Sequence, residues 1–228
     1  MLPRQVYSLA QKVLELRRFQ KKNIVSQVWM LHEVYADGET PKEMGLAISQ
    51  EHFTQLLTKY RPRFRPVSQL TEPGSIVLTF DDIFASAYQN AVPFLRERQI
   101  PYTVFIAPKL LDQPGFLTSG QLNDLASDPL CTIGAHSMSH CLMRPLSEQD
   151  TFAELAGSKQ WLEDFCGREV ACFAFPYGSV YACSRANIRQ VERAGFRCGF
   201  STLNRSVLAD DLAQPWFLPR ININDDFI

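Results

Sequence analysis

The chain has 228 residues, 46% hydrophobic and 21% charged, with 23 Lys and Arg against 24 Asp and Glu. This describes a globular chain able to bury a large core, and it excludes a disordered tail, a collagen-like chain and a coiled coil. A net charge of -1 provides no broad cationic face for nucleic acid, and no run reaches the ~18 apolar residues of a transmembrane segment.

Leu2, Val6, Leu9, Val13 and Leu16 recur at spacings of four and three, which predicts an amphipathic helix over residues 1–23. The first 24 residues hold six Lys or Arg (Arg4, Lys12, Arg17, Arg18, Lys21, Lys22) against one acid, Glu15. Two readings stand side by side. The basic face is a solvated face of a helix that closes one end of the domain, or it makes peripheral contact with an anionic membrane surface. The segment lacks an apolar signal region and a small-residue cleavage site, so a cytoplasmic location is expected. Cys131, Cys141, Cys166, Cys172, Cys183 and Cys198 have no metal-binding spacing and are expected as free, mostly buried thiols.

From residue 24 onward, β-rich runs alternate with helical patterns. Strands are predicted at 24–31, 75–80, 102–107, 131–135, 171–175, 197–201 and 217–223. Helices are predicted near 50–60, 85–98, 119–127, 148–166 and 184–194. About seven strand–helix units imply a parallel sheet that can close into a barrel, an α/β fold in one domain over 24–228. The Pro-rich stretch 61–75 reads as a connector inside that domain. Trp29, Tyr102 and Phe105 follow strand period and read as core, and His52 reads as a surface or packing residue.

Parallel α/β folds collect reactive groups at the C-terminal ends of their strands. Here those ends are Leu31-His32-Glu33, Phe80-Asp81-Asp82, Ala135-His136 through His140, Phe175-Pro176-Tyr177-Gly178 and Leu218-Pro219-Arg220. Successive side chains diverge at a strand end, so Asp81 and Asp82 can serve different partners. His136 and His140 are four apart, close to a helical repeat, so both imidazoles can face one point. Two imidazoles and a carboxylate suit a borderline divalent ion, most often Zn²⁺, and three protein ligands leave a position open for water. A carboxylate used only as a helix cap is the alternative for either aspartate alone.

TFDD (79–82), HSMSH (136–140) and FAFPYG (173–178), in this order and spacing, resemble the polysaccharide deacetylase family of carbohydrate esterases. The resemblance runs from about residue 25 to 223. It implies a distorted (β/α)₇ barrel, a divalent metal (usually zinc) and hydrolysis of acetyl groups on sugars. Position by position, it gives Asp81 as catalytic base, Asp82, His136 and His140 as metal ligands, and the Tyr177 N–H as a donor to the oxyanion. It also gives Leu218 as part of a pocket for the acetyl methyl. Trp216 and Phe217 lie beside Leu218 in sequence and read either as the same rim or as core.

The chain departs from the family pattern in three places. Ile83 replaces a glycine after the aspartates, and a β-branched residue there disfavours positive φ. Ala174 stands where many members carry an Arg that orients the base. Leu218-Pro219-Arg220 replaces a late Leu-x-His whose histidine protonates the leaving amine. Two residues are expected to fill these gaps: Arg220 paired with Asp81, and His32 as the acid, the latter with a strand-end histidine bonded to backbone as its alternative. The function expected is metal-dependent removal of an N-acetyl group from an amino-sugar-containing substrate on the way to a surface polysaccharide. The alternatives are a carbohydrate-binding barrel without turnover and a related hydrolase of a formyl group or cyclic amide.

Overall fold

The computed structural model describes residues 23–82 and 84–227; the helix predicted over residues 1–23 lies outside the described residues but for its last position, and so does Ile83. The strands are β1 (Ile24–Leu31), β2 (Glu33–Tyr35), β3 (Ala47–Ser49), β4 (Ile76–Phe80), β5 (Tyr102–Ile106), β6 (Cys131–Ala135), β7 (Cys172–Ala174), β8 (Cys198–Phe200), β9 (Val207–Leu208) and β10 (Ile221–Asn222). The helices are α1 (Gln50–Tyr60), α2 (Ala85–Asn90), α3 (Val92–Glu97), α4 (Ser119–Ser127), α5 (Glu148–Cys166) and α6 (Arg185–Arg193).

Seven parallel strands form one sheet in the order β10-β1-β4-β5-β6-β7-β8, with β9 added antiparallel to β1. At the far edge Leu218 bridges to Phe200 of β8. The Leu218 N–H donates to Gly199 O at 2.8 Å, and Leu218 O accepts from Ser201 N–H at 2.8 Å. Three residues later the same chain pairs with β1 as β10, so the segment joins the two edges and the sheet curls into a distorted (β/α)₇ barrel. The single strand expected over 217–223 is interrupted because Pro219 has no N–H to give a ladder.

The strand side chains explain the layering. Along these strands alternate residues face opposite sides. Val28, Val77, Phe105, Cys172, Ala174, Phe200 and Leu218 share one cluster inside the barrel. Trp29, Leu31, Ile76, Leu78, Phe80, Tyr102, Val104 and Ile133 belong to a larger cluster between sheet and helices. Burial on both faces is why β4 and β5 read as continuous apolar runs. Among the helices, α1, α4, α5 and α6 start at Ser49, Thr118, Ser147 and Ser184, each accepting from a backbone N–H of the first turn. The helix expected over 85–98 is divided at Ala91 into α2 and α3, with Pro93 in the first turn of the second piece.

Candidate active site at the barrel mouth

Asp81 follows β4, and its N–H donates to Leu31 O at 2.9 Å, which extends the ladder to β1 by one residue. Its carboxylate is 2% exposed and receives both ends of a fully buried guanidinium. Arg220 Nη1 donates to Oδ1 and Nη2 to Oδ2, each at 2.6 Å. Two further Arg220 donors are used as well. Nε donates to Ser201 O at 2.9 Å and Nη1 also reaches Thr79 Oγ1 at 3.3 Å. The guanidinium carbon lies 5.6 Å and 6.0 Å from the rings of Phe105 and Phe200. Burial acts most strongly and would raise the Asp81 carboxyl, but the charge and hydrogen bonds of Arg220, together with the nearby imidazoles, outweigh it and hold the group well below the usual carboxylate range.

Asp82 turns the chain the other way. Its φ of 56° lies in the left-handed region that Asp tolerates better than most residues, and it swings this side chain away from Arg220. Its Oδ1 lies 3.0 Å from His140 Nε2 and 3.6 Å from His136 Nε2. One ligand atom from each of Asp82, His136 and His140 lies within 4.8 Å of the others. His136 Nδ1 lies 2.8 Å from Ala174 O; a carbonyl can only accept, so Nδ1 carries the hydrogen and Nε2 presents its lone pair to the group. Burial pushes the His136 imidazole below its ordinary value, which favours this neutral form. Asp82 Oδ1 is buried without a hydrogen-bond partner among the described residues. Lone pairs on a carboxylate and an imidazole thus face a shared point beside the His140 ring nitrogen, and a small divalent cation fits that donor set.

The two histidines meet by a different route from the helical repeat the sequence suggests. Residues 137–139 form a turn, with Ser137 and His140 at φ 59° and 54°. The Ser139 N–H and Oγ both donate to the Glu154 carboxylate of α5 at 2.9 Å, and Met138 O accepts from Lys109 N–H at 3.0 Å. Glu154 is a positioning residue that sequence reasoning missed. Nothing marks it among the other acids of α5.

Tyr177 also has a left-handed backbone, φ 59°. Its ring centroid lies 5.0 Å from that of His140, and its N–H donates to no group among the described residues. Gly178 follows at φ +36°, where a Cβ would lie 2.8 Å from Thr202 N; only glycine admits this approach. His32 is buried beside Asp81, with Nε2 4.0 Å from Oδ2 and Nδ1 without a partner. The alternative of a strand-end histidine bonded to backbone therefore does not describe it. Burial lowers its pKa more than Asp81 raises it.

The mouth opens into a cleft of about 690 Å³ that includes His32, Asp81, Asp82, His136, His140 and Tyr177. Its apolar wall is Met30, Leu46, Phe84, Leu110 and Phe116, with the Phe84 and Phe116 rings stacked at 5.3 Å. Met30 belongs to β1, while the other four come from the segments after β2, β4 and β5, where no periodic signal could mark them. Leu218 and Trp216 do not line the cleft, contrary to expectation. Leu218 is fully buried in the barrel interior, because its pairing with Phe200 aims it inward. Trp216 lies in the turn before it, in a separate cavity against Arg185, Ile188 and Arg189 of α6.

A family model described as "Polysaccharide deacetylase" matches residues 68–199, more than half of the chain. YxkH of Bacillus subtilis (strain 168) is 23% identical over 185 residues, covering 81% of this chain and 59% of that protein. The poly-beta-1,6-N-acetyl-D-glucosamine N-deacetylase of Staphylococcus aureus (strain MSSA476) is 25% identical over 165 residues, covering 67% and 55%. This chain thus spans less than two thirds of the curated relatives it matches. Among solved structures, the Streptococcus pyogenes deacetylase PplD in complex with acetate superposes with a TM-score of 0.78 at 19% identity, over 89% of this chain and 93% of that one. IcaB from Ammonifex degensii gives 0.76 at 23% identity over the same shares. At these identities the two structures establish the fold.

Proposed function

We propose, on the premise that this chain belongs to the polysaccharide deacetylase family, that it hydrolyses N-acetyl groups on an amino-sugar polymer. One observation carries the reading: a three-residue ligand set, Asp82, His136 and His140, opens on the same cleft as a carboxylate clamped by a buried arginine. A divalent cation in that set supplies Lewis-acid polarisation of the acyl oxygen and lowers the pKa of a water molecule.

The chain's own groups divide the remaining work. Asp81 accepts the proton of the attacking water, and Arg220 keeps it ionised and fixed in orientation for that purpose. The unengaged Tyr177 N–H donates to the oxygen on which negative charge develops. His32 is neutral at rest, so it takes the proton that Asp81 has accepted and gives it to the departing nitrogen. The apolar wall of Met30, Leu110 and Phe116 excludes water around the acetyl group.

Arg220 also bears on the alternative of a barrel without turnover. That reading rests on the missing Arg at Ala174, and Arg220 supplies a guanidinium to Asp81 from a different strand end. The test is metal content by elemental analysis together with acetate release from N-acetylglucosamine oligomers, on the wild type and Asp82→Asn. The expected result is near-stoichiometric divalent metal and acetate release, both lost in the variant. Bound metal without acetate from any acetylated sugar would overturn the deacetylase reading.

A further inference from the structure

Two cysteines face each other near the base of the barrel, at the ends of their strands away from the mouth. Cys172 opens β7 and Cys198 opens β8. The register sets them directly opposite one another, followed by Phe173 against Gly199 and Ala174 against Phe200. Neighbouring strands lie about 4.8 Å apart, within the Cα separation of about 4.4–6.8 Å that a disulfide spans. Both side chains point the same way, into the cluster of Val28, Val77, Phe105 and Phe200 inside the barrel. The Cys198 Sγ–H donates to Cys172 Sγ at 3.3 Å. Cys172 is buried while Cys198 keeps partial exposure, so one of the two can be reached from solvent. Cys131, the other cysteine of the sheet, stands opposite Tyr102 instead. A buried cysteine is commonly no more than a small apolar residue. This pair differs because register, side-chain direction and sulfur contact together meet the demands of a covalent link.

We propose that Cys172 and Cys198 are a disulfide site, closed by exchange with a small disulfide such as oxidised glutathione, that staples β7 to β8 beneath the mouth. The Cys198 thiol gives its proton to solvent, its thiolate attacks one sulfur of the oxidant, and one glutathione thiolate leaves. Cys172, likewise deprotonated, attacks Sγ of Cys198 and expels the second. Two cysteine thiols are thereby oxidised to one S–S bond, one oxidant disulfide is reduced to two thiols, and the two protons end on glutathione. Such a bond persists in an oxidising compartment and not in a reducing one. The span between the two cysteines, 26 positions in sequence, includes Tyr177, Gly178 and α6. The strands themselves lead to groups that hold the site. Ala174 O, at the end of β7, accepts from His136 Nδ1 at 2.8 Å, and Ser201 O, one residue beyond β8, accepts from Arg220 Nε at 2.9 Å. A covalent link at the base keeps β7 and β8 paired below both carbonyls, and it cuts the freedom of the enclosed segment in the unfolded chain.

The experiment equilibrates the full chain in glutathione buffers from fully reduced to fully oxidised, quenches with acid and alkylates the free thiols in denaturant. In the oxidised samples four of the six cysteines take the alkyl group. Mass spectrometry of a non-reduced digest then shows one linked peptide pair, joining Cys172 to Cys198. Tm of the oxidised wild type rises by roughly 5–10 °C over the reduced form, and dithiothreitol reverses the rise. Cys198→Ser shows neither the link nor the shift. Six alkylated cysteines at every ratio overturn the proposal. Glutathione retained on Cys198 overturns it too, since Cys172 then does not reach the mixed disulfide, and so does a link to any other cysteine. A Cys172–Cys198 bond that leaves Tm unchanged overturns the stapling role. No arm uses turnover, so the result is independent of the deacetylase reading.

Discussion

Two polar clusters, one largely buried and one partly exposed, are built on opposite plans. At the α3–α4 corner, Asp128 Oδ2 accepts from Tyr102 Oη and Arg96 Nε, each at 2.8 Å, and its Oδ1 accepts from Leu130 N–H at 2.9 Å. Arg96 also reaches Asp124 at 2.7 Å, which Tyr88 Oη joins at 2.8 Å. Both carboxylates and both hydroxyls of that corner have partners. At the mouth, by contrast, Asp82 Oδ1, His32 Nδ1 and Ser137 Oγ are buried without any among the described residues. Four of the mouth's residues, Asp82, Ser137, His140 and Tyr177, also adopt a left-handed backbone, a cost that only a well-determined surrounding can sustain. A cluster complete in itself holds structure. A cluster that lacks partners and carries strain is arranged for something that arrives.

Arg220 joins the two plans, since it completes one carboxylate inside an otherwise incomplete site, and its replacement should have the largest effect. Arg220→Ala leaves Asp81 charged and buried; unfolding in denaturant is expected to show a loss of about 3–5 kcal/mol, with acetate release falling alongside. Arg220→Lys should recover only part of either, because an ammonium cannot give two parallel bonds. Full activity in Arg220→Lys with none in Arg220→Ala would reduce the pair to simple charge.

His32 sharpens the contrast next. His32→Asn is expected to lower acetate release from an N-acetyl sugar on the order of 10²-fold. Hydrolysis of 4-nitrophenyl acetate, whose leaving group needs no proton, should fall much less. Equal losses on both would make His32 a wall residue.

The smallest effect belongs to the complete cluster. Asp128→Asn is expected to cost about 1–3 kcal/mol of stability while leaving the rate of acetate release by folded protein as it was. Burial acts to raise the Asp128 carboxyl, but the bonds from Arg96, Leu130 and Tyr102 outweigh it and hold it below its ordinary value. Its stabilisation is therefore complete above the unfolded carboxylate pKa and is lost as pH falls through the folded one. Thermal melts of the variant should accordingly show a shallower acid limb than those of the wild type.

Much of this was legible in the sequence because the relevant patterns are local. Strand ends could be read from apolar runs, so Asp81, Asp82, His136 and Tyr177 could be placed at one mouth before any coordinates. Arg220 could be reached only by asking what might replace the missing arginine at Ala174. The cleft wall could not be read, since Phe84, Leu110 and Phe116 lie in loops whose conformation no periodicity determines. Leu218 was misplaced for a register reason. Its pairing with Phe200 turns the side chain into the barrel, and the orientation of a residue at a sheet edge depends on a neighbour that the sequence does not name.

The bond between Asp81 and Arg220 spans 139 residues, which has a consequence during synthesis. At roughly 5–20 residues per second, a ribosome adds Arg220 on the order of ten seconds after Asp81. Over that interval the carboxylate has no guanidinium to accompany it out of water, and by its end Asp82, His136 and His140 of the mouth have all been made. A nascent chain halted short of residue 220 can therefore present a ligand set without a settled base. Completion of the Asp81–Arg220 pair is a late event of translation, and it makes the mouth's closure a check that the barrel's closing strand has been delivered.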